Sequence, residues 1–187
     1  MEELVGRDRC NIYTGPEVVE FDGVPIQFIP WINANNYDES MTALSRSPAQ
    51  IAMGHLEVNG FEMHKGQFAD GAYDKESFQR FDIVMSGHFH HKSDDGHIYY
   101  LGTPYEIYWS DYEDPRGFHI FDTDTRELER IVNPYRLFEK VYYDDTTTDY
   151  TEYDMSKFKD MYVKVIVVNK KDLYQFDKFV DKLLQAD

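Results

Sequence analysis

Ile-Ala-Met-Gly-His at residues 51–55 and Ile-Val-Met-Ser-Gly-His at residues 83–88 are the stretches that decide the fold. In each, a short apolar run ends in glycine and then histidine. Short apolar runs of this kind are typical of buried strands, and ligands collect at the carboxyl ends of strands in open α/β sheets. The repeated pattern therefore predicts two buried strands that carry His55 and His88 to one edge of a sheet.

His90 extends the second stretch into Gly87-His88-Phe89-His90. An His-x-His pair in an extended loop points both imidazoles to one side, and imidazole binds Mn, Fe, Zn and Ni. His55, His88 and His90 are therefore candidate metal ligands. Glycine before each histidine is expected to permit a positive φ and close approach of a metal. The remaining histidines are expected to be structural or to face away: His64, His91, His97 and His119.

Signals on either side of these strands predict a mixed α/β fold with helices on the outer faces of the sheets. Asp22-Gly23 between two apolar runs predicts a β-hairpin. Asp38 is predicted to cap a short helix that ends at Arg46, and a second helix is predicted over residues 74–81. A later hairpin is predicted from strands at residues 118–121 and 128–132.

The character of the sequence changes after Phe138. Residues 144–160 are rich in carboxylates and threonine, which is typical of a linker or an exposed edge. A β-branched strand follows at residues 162–168, and then an amphipathic helix at residues 172–184. These elements predict a domain over residues 1–138 and, over residues 139–187, a linker with the beginning of a second small domain.

The composition sets limits on the function. Of 187 residues, 35 are acidic and 19 basic, giving a net charge of −16. This charge is weak evidence against a nucleic-acid partner, because phosphate backbones attract Lys and Arg, although bound cations can reverse the local sign of a site. The single Cys10 excludes an internal disulfide framework, and no apolar run approaches the ~20 residues of a membrane helix. A cytoplasmic protein is expected.

The motifs resemble those of the calcineurin-like metallophosphoesterases. The last two motifs of that family, a Gly-His and a Gly-His-x-His, match Gly54-His55 and Gly87-His88-Phe89-His90. More narrowly, the sequence resembles SbcD-like DNA double-strand-break repair nucleases, especially the recombination-endonuclease subunits of T-even-type bacteriophages. The narrower resemblance also rests on Phe21-Asp22-Gly23, Ile29-Pro30-Trp31, residues 54–61, Ser86, residues 102–104 and residues 114–118.

The resemblance implies a fold, a metal and partners. The fold would be the second half of a four-layer α-β-β-α sandwich over residues 1–138, followed by part of a small α/β cap domain that helps bind DNA. His55 and His88 would bind one metal and His90 the other, in a two-metal site whose usual ion is Mn²⁺. The implied partners are DNA, an SMC-like ATPase of the SbcC type and, as a further option, a second copy. A phage protein of this kind would act in the host cytoplasm.

Three earlier motifs of the family are absent from the sequence: Asp-x-His, Gly-Asp-x-x-Asp and Gly-Asn-His-Asp/Glu. They would supply the other metal ligands, the bridging carboxylate and the proton donor, so no catalytic residue is assigned. The chain is therefore expected to be a fragment of a DNA exo/endonuclease subunit that binds metal weakly and is inactive alone. Two alternatives stay open: a small-substrate phosphoesterase of the same superfamily, and a non-catalytic module that completes a nuclease carried by another chain.

Overall fold

The computed structural model of the chain describes residues 11–64, 66–70 and 73–186. The helices are α1 (Tyr37–Arg46) and α2 (Leu173–Leu184). No helix in these residues is long and apolar enough to cross a membrane. The strands are β1 (Glu17–Phe21), β2 (Val24–Ile29), β3 (Ile51–Gly54), β4 (Glu62–His64), β5 (Gln67–Phe68), β6 (Ile83–Ser86), β7 (Ser93–Asp94), β8 (Ile98–Tyr100), β9 (Gly117–Phe121), β10 (Leu128–Val132), β11 (Phe138–Asp144) and β12 (Tyr162–Asn169).

The chain divides into two compact units. The first runs to Pro104 and resumes with Arg116–Val132, while the second combines Tyr105–Pro115 with the residues from Asn133 onward. Each unit has a hydrophobic core of its own. The prediction that the two parts of the chain are a nuclease domain and a cap domain stays a prediction.

A six-stranded sheet in the order β1-β2-β3-β6-β8-β7 organises the first unit. The four inner strands run parallel, and the outer strands β1 and β7 pair antiparallel with their neighbours. Parallel strands are covered on both faces in stable proteins. The mixed α/β fold predicted from the sequence is confirmed. The four-layer arrangement implied by the resemblance stays a prediction.

Both faces of the sheet are buried, as the continuous apolar runs require. Ala52 of β3 and Val84 of β6 pack into one hydrophobic cluster with Tyr100. Ile51 and Met85, which alternate with them along the strands, belong to a second cluster on the opposite face. These central strands are therefore fixed from both sides.

The β1–β2 hairpin confirms the turn predicted at Asp22-Gly23. Phe21 pairs with Val24 across a two-residue turn. Asp22 and Gly23 have φ of +50° and +80°, and two positive φ values are what a type I′ turn requires. The later hairpin is confirmed as well, with Phe121 of β9 opposite Leu128 of β10.

Two helix predictions need correction. α1 begins at Tyr37, so Asp38 lies in its first turn and is not the cap. Asn36 occupies the cap position, but its side chain makes no hydrogen bond to the first turn of the helix. The negative charge of Asp38 is still favourable in the first turn, because the N-terminal end of a helix carries partial positive charge. Residues 74–81 contain a 3₁₀ turn, Lys75–Phe78, and no α-helix. Successive i to i+3 hydrogen bonds place Phe78 and Phe81 on the same side, where both are buried.

The second unit is built on a parallel pair of strands and a helix. β11 and β12 pair in parallel, from Phe138 opposite Tyr162 onward. α2 begins as predicted, because the Asp172 carboxylate accepts hydrogen bonds from two backbone N–H groups of its first turn. Residues 145–160 contain no strand, but Tyr150 and Phe158 are buried in the core of this unit beside Phe179. The expectation of an exposed segment is wrong at these two aromatic residues.

Gly54, the last residue of β3, is required for steric reasons. A Cβ at this position would lie 2.7 Å from the main-chain oxygen of Ile29 and 3.0 Å from Leu56 Cγ. The φ of Gly54 is not positive, so the positive φ predicted for this glycine is wrong. Because Gly54 has no side chain, the ends of β2 and β3 can lie side by side before the chain turns toward His55.

The variant Gly54→Ala should lose about 1–3 kcal/mol of unfolding free energy, because the added methyl group overpacks rigid backbone. The matched control is Gly15→Ala, since a Cβ at Gly15 would meet only Glu39 Oε2 at 3.8 Å. The control should lie within about 0.5 kcal/mol of the parent. Urea denaturation of the three proteins measures the difference. Equal stability of the two variants would show that the strand ends are not this close.

Candidate functional site

His55 and His88 come together at the carboxyl ends of adjacent strands. β3 and β6 are parallel neighbours with Gly54 opposite Ser86, so the residues that follow them leave the sheet at the same edge. The two imidazole centroids are 5.0 Å apart and nearly perpendicular. The backbone N–H of His88 donates a weak hydrogen bond to His55 Nδ1, 3.3 Å away. The predicted convergence of these two side chains is confirmed.

The backbone at the second motif is strained at the histidine. His88 has a φ of +26°, which L residues adopt at a cost of order 1–3 kcal/mol and which occurs most often at functional sites. Gly87 does not have a positive φ, but a Cβ there would lie 3.2 Å from His55 Nδ1. The glycine therefore makes room for the His55 imidazole, and His88 takes the unusual conformation.

His55 is held in its neutral form. Burial lowers the pKa of His55, and positive charge on His88 and His90 lowers it further. Its folded-state pKa therefore lies below the ordinary value of about 6.5, so the ring is neutral at pH 7. Neutral imidazole is the form that binds a metal. His90 lies in the same loop after β6, and its convergence with the pair stays a prediction.

Two other histidines, His91 and His97, have partners elsewhere. His91 Nε2 lies 3.4 Å from a carboxylate oxygen of Glu62. His97 Nε2 lies 2.7 Å from the main-chain oxygen of Phe81. Close to the pair itself, Glu57 Oε2 is 3.9 Å from His88 Nε2. Glu57 is a carboxylate beside the imidazoles that the sequence pattern did not single out.

The described residues do not form a metal centre by themselves. No group of three or more His, Cys, Asp or Glu side chains in residues 11–64, 66–70 and 73–186 has the arrangement of a metal centre. His55 Nδ1 accepts a backbone N–H, so the proton of its neutral ring is on Nε2. Binding a metal through Nε2 requires the other tautomer, and the 3.3 Å contact must then open. A complete centre needs ligands beyond these residues.

Two buried hydroxyl groups fix the loop that carries His55. The Tyr100 hydroxyl accepts a hydrogen bond from the Val58 N–H at 2.8 Å and donates one to the Leu56 main-chain oxygen at 2.9 Å. Ser86 Oγ accepts the Leu56 N–H at 3.0 Å. Tyr100 and Ser86 have no exposed surface, and burial raises the pKa of Tyr100 to about 12. Sequence reasoning missed both residues, although a tyrosine in a buried strand signals a polar partner.

Trp31 lies against the pair from the loop that follows the adjoining strand β2. Its ring centroid lies 5.2 Å from that of His55 and 4.9 Å from that of His88. The indole nevertheless remains 50% exposed. In the sequence, Trp31 was noted only as part of Ile29-Pro30-Trp31, one of the segments on which the family resemblance rests. The structure makes it a wall of the site.

Comparison with known proteins supports a relationship to a nuclease. A protein described as Exonuclease subunit 1, from Enterobacteria phage T4, is 33% identical to this chain over 186 residues. The match covers 99% of the chain and 53% of that protein, so the chain spans about half the length of the curated relative. No protein-family model matches the chain.

The variant Tyr100→Phe should lose about 1–3 kcal/mol of unfolding free energy, because the buried Val58 N–H is left without its partner. Tyr99→Phe is the control. The Tyr99 hydroxyl contacts the Gly96 main-chain oxygen at 3.1 Å in an exposed setting, and its removal should change the stability by less than about 0.5 kcal/mol. Urea unfolding followed by circular dichroism gives both values. A Tyr100 variant as stable as the Tyr99 variant would contradict the assigned tether.

Proposed function

We propose that this chain is the histidine-bearing part of a metal-dependent nuclease subunit that hydrolyses phosphodiester bonds in DNA. The observation that carries the proposal is the contact between His55 and His88 at the ends of two adjacent parallel strands. Strand ends of this kind are where α/β proteins place their reacting groups. The similarity to a phage exonuclease subunit favours DNA over a small phosphoester as the substrate.

In this proposal His55, His88 and His90 contribute the nitrogen ligands of a two-metal centre that uses Mn²⁺. Two bound metals would activate water and stabilise the attacking and leaving oxygens of a phosphodiester. The remaining ligands, including a bridging carboxylate, and the proton donor would come from a segment outside these 187 residues. The lowered pKa of His55 suits this role, because only a neutral imidazole can bind a metal.

The acidic composition is compatible with a DNA substrate if the charge is locally reversed. A net charge of −16 disfavours general attraction to phosphates, so the bound cations would provide the positive field at the cleavage site. The further partners in this proposal are an SMC-like ATPase of the SbcC type and a second copy of the nuclease subunit. The second unit would act as the cap that helps hold DNA, and the host cytoplasm would be the setting.

A nuclease assay on linear duplex DNA with Mn²⁺ tests the proposal. The 187-residue chain alone should not hydrolyse the DNA, because its described residues contain no group of three or more side chains that could hold a metal ion. The intact protein should hydrolyse it, and His55→Ala with His88→Ala should reduce the rate by more than the ~10–100-fold typical of residues that only support a metal ligand. The control is His64→Ala, whose exposed ring lies in the short strand β4.

Three outcomes separate the alternatives. Hydrolysis by the chain alone that disappears in the double variant would show that it assembles a working site by itself. An intact protein that keeps its rate in the double variant would exclude the histidines from the centre. Recovery only when a second polypeptide is added would instead favour the non-catalytic module that completes another chain.

A further inference from the structure

Trp31 is exposed in a way that its packing does not explain. One part of the ring lies against His55 and His88, with centroid distances of 5.2 and 4.9 Å, while half of its surface remains open. A tryptophan that served only to support the imidazoles would stabilise the fold more if it were covered, since burial of a large aromatic ring is strongly favourable. The open surface of Trp31 is therefore available to a ligand beside the histidine pair.

The loop after β2 holds Trp31 in place. The side-chain amides of Asn33 and Asn36 both donate hydrogen bonds to the Trp31 main-chain oxygen, at 3.2 and 2.9 Å. The Asn33 N–H in turn donates to Asn36 Oδ1 at 2.8 Å. Three side-chain and main-chain contacts thus fix the backbone of an exposed residue before α1 begins. A preorganised aromatic ring loses little conformational entropy when a ligand binds to it.

We propose that the open surface of Trp31 is a stacking subsite for a nucleobase of the DNA strand whose phosphodiester is cleaved at His55 and His88. The inference rests on the proposed function and deepens it. A nucleobase is the flat apolar group that is covalently closest to the reacting phosphate, and stacking on an aromatic ring accepts any base. Trp31 is on this account a positioning residue that places the strand and has no part in proton transfer.

The subsite can be tested without catalysis. The chain has two tryptophans, and Trp109→Phe leaves Trp31 as the sole indole. Trp109 packs on Phe138 in the second unit with centroids 4.7 Å apart, so phenylalanine preserves an aromatic contact. We expect a single-stranded thymidine oligonucleotide, added in EDTA, to quench the Trp31 fluorescence with saturation. An abasic oligonucleotide of the same length should leave the emission nearly unchanged.

A titration with free dTMP distinguishes binding of a DNA strand from binding of a free nucleotide. At equal base concentration it should quench less than the oligonucleotide, because the strand adds contacts beyond one base. Equal quenching by the abasic and the thymidine oligonucleotides, or no quenching by either, would overturn the subsite. Quenching by dTMP and not by the oligonucleotide would overturn its assignment to a DNA strand.

A kinetic test on the intact protein distinguishes stacking from mere support of the histidines. Trp31→Ala should lower kcat/KM on a duplex with an ordinary terminal nucleotide by roughly 5- to 100-fold, the effect typical of losing one stacked base. Trp31→Phe should recover most of the loss. On a duplex whose terminal nucleotide is abasic, the alanine variant and the parent should have similar kcat/KM. An equal loss on both duplexes would show that Trp31 only holds His55 and His88.

Failure of the proposed nuclease function and failure of the stacking subsite would give different results. If the intact protein does not hydrolyse DNA while base-dependent quenching persists, the proposed nuclease function is wrong and the nucleobase subsite stands alone as a binding site. If DNA is hydrolysed while quenching does not depend on the bases, the nuclease function stands and the subsite is wrong.

Discussion

The hydrogen bonds of the buried Tyr100 hydroxyl are the constraint on which the site depends. This one group satisfies the Val58 N–H and the Leu56 main-chain oxygen, and Ser86 adds a third contact to the same loop. A buried polar group without a hydrogen-bond partner destabilises the fold. Moving the loop away from the sheet would leave the Val58 N–H and the Leu56 main-chain oxygen without their partner. Because the loop begins at His55, the hydroxyls of two neighbouring strands determine where that imidazole lies relative to His88.

Parallel pairing brings the chemistry of two sequence motifs to one place. β3 begins at Ile51 and β6 begins at Ile83, 32 positions later in the sequence, yet the two strands pair directly. Their ends position a neutral imidazole next to one whose backbone is strained. Strain of this kind persists only where the surroundings over-determine it. Here two features hold the backbone of His88 in its strained conformation. They are the close packing at Gly54 and Gly87 and the hydrogen bonds that fix the loop after His55.

The sequence predicted the parts of this arrangement that depend on local pattern. The Asp22-Gly23 turn, the apolar strands ending in Gly-His and the amphipathic helix over residues 172–184 each have a short-range signature. It did not predict features that depend on contacts between distant residues. Tyr100 meets a loop more than forty positions away, and the glycine before each histidine is required by a neighbour's backbone or ring rather than by its own φ.

The most direct test of the metal-site proposal is a titration of the chain with Mn²⁺ followed by proton NMR of the histidine rings. Paramagnetic Mn²⁺ broadens nearby resonances even when it binds weakly and exchanges fast, so an incomplete shell can still be located. The account predicts that the His55, His88 and His90 signals broaden first, at Mn²⁺ concentrations well below that of the protein, and that His55→Ala with His88→Ala delays the broadening of His90. Simultaneous broadening of all seven histidines, or earlier broadening elsewhere, would contradict a metal site at these strand ends.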